Sequence, residues 1–325
     1  MAADHRLALT VMELLAPTLG SVVRVDSVTR QPSPFATLFP ADVLSVCCSD
    51  GRNIRLFLKH LGSEQPDHPD KQCRDREVRV YEELLRDDAL PVARYFGSRR
   101  NEATGRHELY LEYVDDWPLR HQHLQYWYTA ARRLADFHAY FAARPHTLRG
   151  CGFLLNLDES YFAAWAGRAH AAVTQQSAQL GNRMERLCAD YRPACEFLAR
   201  QPATLVHNDL ACKNVIADRS CTPARICIID WELAGVGCGL LDLAHLKYGL
   251  EGASEQQMVD EYRSQLRSND LLPSDDREFA RLLAACELHK TFYRLAHSPA
   301  WKLATERLAC WVGEAESFLR RVIEP

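Results

Sequence analysis

The stretch LVHNDLACKNVIAD, Leu205 to Asp218, sets His207, Asp209 and Asn214 between two short apolar runs, and ICIIDWE then carries a further apolar run into Asp230. Two kinds of chemistry are open to these residue types. A carboxylate can take the proton of a hydroxyl that is about to attack. A carboxylate together with an amide oxygen can hold a hard cation such as Mg²⁺. The same residues also make ordinary polar loops, and an Asp at a strand end is commonplace. The surrounding elements must decide whether the two pieces belong to one site.

The chain has 325 residues, 47% of them hydrophobic, and a formal net charge of −4. That length predicts two lobes or domains. The charge gives no reason to expect a nucleic-acid partner. No run of 18 apolar residues occurs, so no membrane span or membrane partner is expected. The opening MAADHRLALTVMELLAPTLG reads as an amphipathic helix rather than a signal peptide, which predicts a cytoplasmic protein. The twelve cysteines are scattered without a C-x-x-C pair, so they read as reduced thiols and not as a zinc site. His121 to His123 reads as a solvated helix start.

Hydrophobic periodicity predicts a helix over His5–Leu19, a strand over Val22–Val28 and a loop over Thr29–Thr37. Ala41–Cys48 and Arg52–His60 read as strands joined at Asp50-Gly51, a hairpin turn signal. After a polar loop, RDREVRVYEELLRD is helical, with Val78, Tyr81, Leu84 and Leu85 on one face. Val92–Phe96 and Glu108–Val114 read as two more strands. Residues 1–114 are thus expected to form a small mixed sheet with one helix inserted after its third strand. From Trp117 to about Gln201 the pattern is mainly helical, broken at RPHTLRGCG. Strand-like pieces follow at Thr204–Val206, Asn214–Ala217 and Ile226–Ile229. Helices resume over Leu240–Tyr248, Ser254–Arg267 and, with breaks, Asp275–Val322. The expected fold class is α+β, with a β-rich lobe of 1–114 and a larger, mostly helical lobe of 115–325.

His207–Asn214, HNDLACKN, resembles the catalytic loop H-x-D-L-x-x-x-N of the protein-kinase-like superfamily, and Ile228–Glu232, IIDWE, resembles its Asp-bearing metal motif. The wording is closest to the aminoglycoside phosphotransferase and choline kinase branch, where that motif reads I-D-W/F-E rather than D-F-G. GCGLLDLAHL, with Asp242-Leu243-Ala244, resembles the following G-x-x-x-x-D-L-A stretch. LADFH, Leu134 to His138, resembles the branch's L-A-x-L-H helix motif. The resemblance runs from about Val22 to Leu246. It implies a two-lobed kinase-like fold and transfer of phosphate from ATP or GTP to a small molecule, a reaction that depends mostly on positioning and charge neutralisation. On that basis Asp209 meets the incoming hydroxyl, Asn214 and Asp230 hold Mg²⁺, and His207 supports the loop backbone.

The same resemblance assigns Lys59, in RLFLKHL on the third strand, to the nucleotide phosphates, and Glu77, in REVRVY, to hold that lysine. Without the loop motif, such a Lys–Glu pair would read as a surface ion pair of little worth. In LYLEYV the carbonyl of Glu112 and the amide of Val114 are expected at the purine edge. One departure is plain: Thr29–Thr37 has two prolines and no glycine where a phosphate-cradling loop would lie. Ser33 and Thr37 are the donors left there. Lys213 faces either phosphate or solvent. The missing glycines keep a catalytically dead binding module open beside the enzyme. The absence of a D-F-G and A-P-E segment argues against a protein kinase. For the acceptor, Glu251–Lys290 carries nine Asp and Glu against five Lys and Arg, which points to a cation such as an aminoglycoside. Trp127, Tyr161 and Trp165 could instead box a choline-like amino alcohol or stack on a sugar or nucleoside. Solvated helices and core packing account for both features equally.

Overall fold

The computed structural model describes residues 2–19, 24–34, 39–62, 68–102, 104–266 and 271–324. The chain divides into two compact units, Met1–Trp117 with Ile216–Leu233, and Pro118–Val215 with Ala234–Pro325. Residues 216–233, expected in the C-terminal lobe, therefore belong with the N-terminal unit.

The N-terminal unit begins with α1 (Ala2–Leu19) and β1 (Val25–Pro32), β2 (Ala41–Cys48) and β3 (Asn53–Leu61). It continues with α2 (Arg76–Arg79), β4 (Tyr95–Asn101) and β5 (Arg106–Glu112). The strands form one sheet in the order β1-β2-β3-β5-β4. Every neighbouring pair is antiparallel, so the sheet is not mixed. Strand alternation decides which side chains reach the core. Leu56 and Leu58 point to the face where Val11 and Leu15, one helical turn apart in α1, pack with Leu44, Val46 and Tyr110. Phe57 and Lys59 consequently share the opposite face. The β2–β3 hairpin turns at Gly51, whose φ of +83° suits a residue without a Cβ.

Two sequence expectations shift here. β1 runs on through Pro32 into the expected loop, because its partner β2 supplies backbone bonds and Pro is tolerated on an edge strand. Val92 pairs with Ile228 instead of opening a sheet strand, and Ala93 packs with Val114 and Cys227 in a separate small core. The helical face of Val78, Tyr81, Leu84 and Leu85 is buried. Beyond α2 the helix widens over Val80–Leu84, where the amide of Leu85 donates to the carbonyl of Val80, five residues back, at 3.1 Å.

In the C-terminal unit α3 (Leu124–Ala142) and the single turn α4 (Pro145–Leu148) lead to β6 (Leu155–Asn156), α5 (Glu159–Gln176), α6 (Ala178–Ala199) and β7 (Ala203–Val206). The chain then passes through the hairpin of β8 (Val215–Asp218) and β9 (Arg225–Ile228), which belongs with the N-terminal unit, and returns with β10 (Gly235–Cys238) and the helices α7 (Leu240–Leu246), α8 (Gly252–Gln265), α9 (Asp276–Ala296) and α10 (Thr305–Ile323). α9 packs on α5, α7 and α10, and α3 on α8. β10 is the element that periodicity misses, since GVGC offers too little apolar alternation. Its glycines admit a close neighbour: a Cβ on Gly235 would lie 2.8 Å from the carbonyl oxygen of Leu155. β10 pairs with β6 and antiparallel with β7, which fixes the direction in which the chain leaves β7. Among the described residues no helix is long and apolar enough to cross a membrane.

Candidate active site

β7 ends at Val206, and the next three residues turn sharply. Asn208 is left-handed, with φ +65°, in a chain position where such a conformation costs a residue with a Cβ about 1 kcal/mol. Asp242, in the first turn of α7, supports that turn. Its buried carboxylate accepts the amides of His207 at 2.7 Å and Asn208 at 2.8 Å. Nε2–H of His138 donates to the same carboxylate at 3.3 Å, which leaves Nδ1 to accept from the Tyr262 hydroxyl at 2.7 Å. Burial alone would raise the Asp242 carboxyl, but the His138 hydrogen bond and nearby cations hold it below the usual range. The L-A-x-L-H and D-L-A stretches thus meet at one buried network.

The following peptide is held at both faces. Nδ1 of His207 accepts the amide of Asp209 at 3.2 Å, and His207 is fully buried. The ammonium of Lys290 donates to the Asn208 carbonyl at 2.7 Å and to its side-chain oxygen at 2.9 Å. Nδ2 of Asn208 donates to the Tyr161 hydroxyl at 2.8 Å. The Asp209 side chain itself remains 23% exposed. Nδ2 of Asn214 donates to the Asp209 carbonyl at 2.9 Å, which turns the amide oxygen of Asn214 into its remaining ligand atom. Lys213 lies 3.9 Å from the Asp209 carboxylate on a side chain that is 55% exposed, an arrangement of little energetic weight. Nε2 of His245 lies 3.8 Å from Asp209. Burial pushes the His245 imidazole down to about 4 against the pull of Asp209, so it is neutral near pH 7.

The N-terminal unit holds a second charged group. Lys59 donates to Glu77 at 2.7 Å and to Asp230 at 2.6 Å. Burial works against its ammonium, but the charges of Asp230 and Glu77 outweigh it and raise its pKa. Burial also raises Glu77, helped by the negative charge of Asp230 and opposed by Lys59. Asp230, which follows β9 by two residues, has φ +72°. Glu232 pairs with Lys71, and its carbonyl accepts from Arg76 at 2.7 Å. Lys59, Lys71 and Arg76 match Glu77, Asp230 and Glu232 in number, and of the two acids that Lys59 faces Asp230 is the more exposed and the one open to a cation. Mg²⁺ takes one or two protein oxygens and completes its shell with phosphates and water. The carboxylate of Asp230 and the amide oxygen of Asn214 are donors of that hard kind. Among the described residues, no group of three or more His, Cys, Asp or Glu is placed to hold a metal.

Other expected residues stand differently. The Ser33 amide donates to the Ala41 carbonyl at 2.7 Å, so it is a strand contact rather than a phosphate donor. Thr37 lies outside the described residues. The Glu112 carboxylate pairs with Arg225, and its amide donates to the Arg94 carbonyl at 2.8 Å. Val114 is buried, and its carbonyl accepts the Asp116 amide at 3.0 Å. Four of the nine carboxylates of Glu251–Lys290 pair with a lysine or arginine. Glu255 and Glu287 pair with Lys247, Glu261 with Arg132 and Asp276 with Arg263, while Asp275 caps α9. Trp127 and Trp165 are buried, and Trp165 packs 4.5 Å from Tyr293 between ring centres. Asn208, Asp242 and Lys290 received no role from sequence. The D-L-A motif marked Asp242; nothing comparable marked Lys290.

This fold, a small antiparallel sheet followed by a mostly helical remainder, is shared with solved small-molecule kinases. The model of the phosphotransferase enzyme family matches residues 48–283, and the chain belongs to that family. A search of curated proteins finds no match. Among solved structures, a microcompartment-associated aminopropanol kinase is similar at TM-score 0.59 and 18% identity, covering 95% of each chain. A choline kinase from Cryptosporidium parvum Iowa II gives 0.55 and 14%, covering 91% of this chain and 88% of its own. The GDP complex of an aminoglycoside 2′-phosphotransferase mutant gives 0.57 and 13%, covering 97% of each.

Proposed function

We propose that this phosphotransferase moves the γ-phosphate of ATP or GTP to a hydroxyl of a small molecule, with Asp209 as the base that receives the hydroxyl proton. Lys59 meets the nucleotide phosphates, and Glu77 keeps its ammonium in place. Asn214 and Asp230 are the Mg²⁺ ligands; when bound, the ion neutralises charge on the phosphates. His207 holds the Asp209 amide and so aims its carboxylate. The backbone of Glu112 and Val114 serves the purine edge, and the Ser33 hydroxyl and Thr37 remain the candidates near the phosphates. The observation that carries the enzymatic reading over a dead module is the Lys59–Glu77–Asp230 cluster. Its members come from β3, α2 and the turn after β9, and a lysine beside a partly exposed acid suits nucleotide phosphates and the cation that accompanies them.

The acceptor is a small hydroxylated compound. An aminoglycoside-type polycation, and with it a role in antibiotic resistance, gets less support from the acidic segment than its charge count suggests, because four of its nine carboxylates already face arginine or lysine. A choline-like amino alcohol, a sugar or a nucleoside is the second reading, favoured by that local neutralisation. A screen of nucleotide consumption against aminoglycosides, amino alcohols, sugars and nucleosides, read by product mass, tests both. Acceptor-dependent phosphorylation of any of them is the expected result. Nucleotide binding without any turnover would instead establish a binding module.

A further inference from the structure

We propose that Lys290 is a positioning residue for phosphoryl transfer, acting through Asn208 on the catalytic carboxylate of Asp209. The proposal rests on the kinase reading above. Lys290 lies in the middle of α9 and is 5% exposed. Burying an ammonium there costs several kcal/mol unless acceptors replace its water. Two of those acceptors belong to one residue: the carbonyl and the side-chain oxygen of Asn208. The carbonyl of Asn208 and the amide of Asp209 are the two ends of the same peptide group. Lys290 holds one end, and His207 Nδ1 holds the other at 3.2 Å. With both ends fixed, this planar unit cannot rotate; the next one is held at the Asp209 carbonyl by Asn214 Nδ2 at 2.9 Å, and the two planes together set the direction of the Asp209 Cα–Cβ bond.

The bidentate grip also explains the residue it grips. Asn is among the few side chains that tolerate φ near +65°, and its oxygen and amide meet Lys290 and Tyr161. Glycine would tolerate the backbone but offer no second acceptor. The hydrogen bonds of Lys290 run to Asn208, and its effect is one of aim: a misplacement of about 1 Å in a reacting group can cost roughly a hundredfold in rate.

Lys290→Met keeps the length of the side chain and removes the donor. The test compares wild type, Lys290→Met, Lys290→Arg, Asn208→Gly and the Lys290→Met/Asn208→Gly double variant. Nucleotide hydrolysis with water as acceptor is measured, together with turnover of any acceptor found in the screen, nucleotide affinity and melting temperature. The expected result is a fall of about tenfold to hundredfold in kcat for Lys290→Met. Nucleotide affinity and acceptor KM should stay within about twofold, and Lys290→Arg should recover part of the loss. The double variant should fall by less than the sum of the two single losses, because Lys290→Met already removes the side-chain contact that Asn208→Gly removes. Wild-type kcat in folded Lys290→Met overturns the proposal. So does a lower melting temperature with unchanged kcat per folded molecule, or strictly additive losses in the double variant. A failure of the kinase reading looks different: wild type itself would bind nucleotide and turn over nothing, which removes both.

Discussion

Two turns carry the acids proposed for function, and both pass through a left-handed residue that is not glycine. In the C-terminal unit the left-handed residue is Asn208, one position before Asp209, at φ +65°. In the N-terminal unit it is the acid itself, Asp230, at φ +72°. The first turn is braced by neutral amides, Asp242, Tyr161 and Lys290, and its acid stays clear of a tight ion pair. The second is braced through its own carboxylate, which lies 2.6 Å from Lys59. A carboxylate that must take a proton is best aimed from behind and left uncommitted. One that must hold a cation can rest against an ammonium until the cation arrives. Strain at a functional site is tolerated when the surroundings fix it, and these two surroundings fix it by different forces.

The comparison can be broken most sharply at the acids. Asp209→Asn should lower turnover by about 10²–10⁴ while leaving nucleotide affinity near wild type. Asp230→Asn, which keeps a side chain suited to the left-handed region, should lower turnover and also abolish most of the Mg²⁺ enhancement of nucleotide binding. Titrating nucleotide with and without Mg²⁺ separates the two, and an unchanged metal response in Asp230→Asn would remove it from the ligand set. The next effect lies in the brace of the second turn. Lys59→Met should raise the nucleotide Kd and cost roughly 1–3 kcal/mol of stability, since Glu77 and Asp230 lose the charge between them. Glu77→Gln should be milder, because Lys59 keeps Asp230. Equal kinetics for Glu77→Gln and wild type would mean that Glu77 does not position the lysine.

The smallest effect sharpens the first turn. His245 is pushed down to about 4 by burial, from an ordinary value of 6.5. Between those values the unfolded chain binds a proton that the folded chain refuses, so the folded state is favoured as pH rises. This contribution is fully present above pH 6.5 and is lost as pH falls towards 4. Its size is on the order of 1–3 kcal/mol. Urea melts of wild type and His245→Gln across that window should show the variant losing less stability on acidification. Parallel curves would mean that His245 is protonated in the folded protein as well.

Much of this was legible in the sequence because the motifs are local. Asp209 and Asn214 sit in one eight-residue run, and Asp230 ends the next apolar strand. Alternation placed Lys59 off the α1 side of the sheet. The braces were not legible. Lys290 is 82 residues from Asn208 and Tyr161 is 47 away, and each sits at an ordinary helical position. The charge count of Glu251–Lys290 carries no information on which arginine or lysine each carboxylate faces, and four of the nine face one. β10 escaped because its glycines serve close approach rather than burial. The return of residues 216–233 to the N-terminal unit is set by the pairing of Val92 with Ile228, a contact between segments with no shared pattern.

The wide turn after α2 has a consequence for how this chain tolerates a change of length. Val80–Leu84 is the last turn of its helix, and Leu85 leaves helical geometry. Glu77, upstream of the turn, meets Lys59, while Leu84 and Leu85, at its end, are buried. The turn therefore sets the spacing between a charged anchor and an apolar one, and deleting one residue from it should cost more stability than substituting its exposed Glu82 or Glu83.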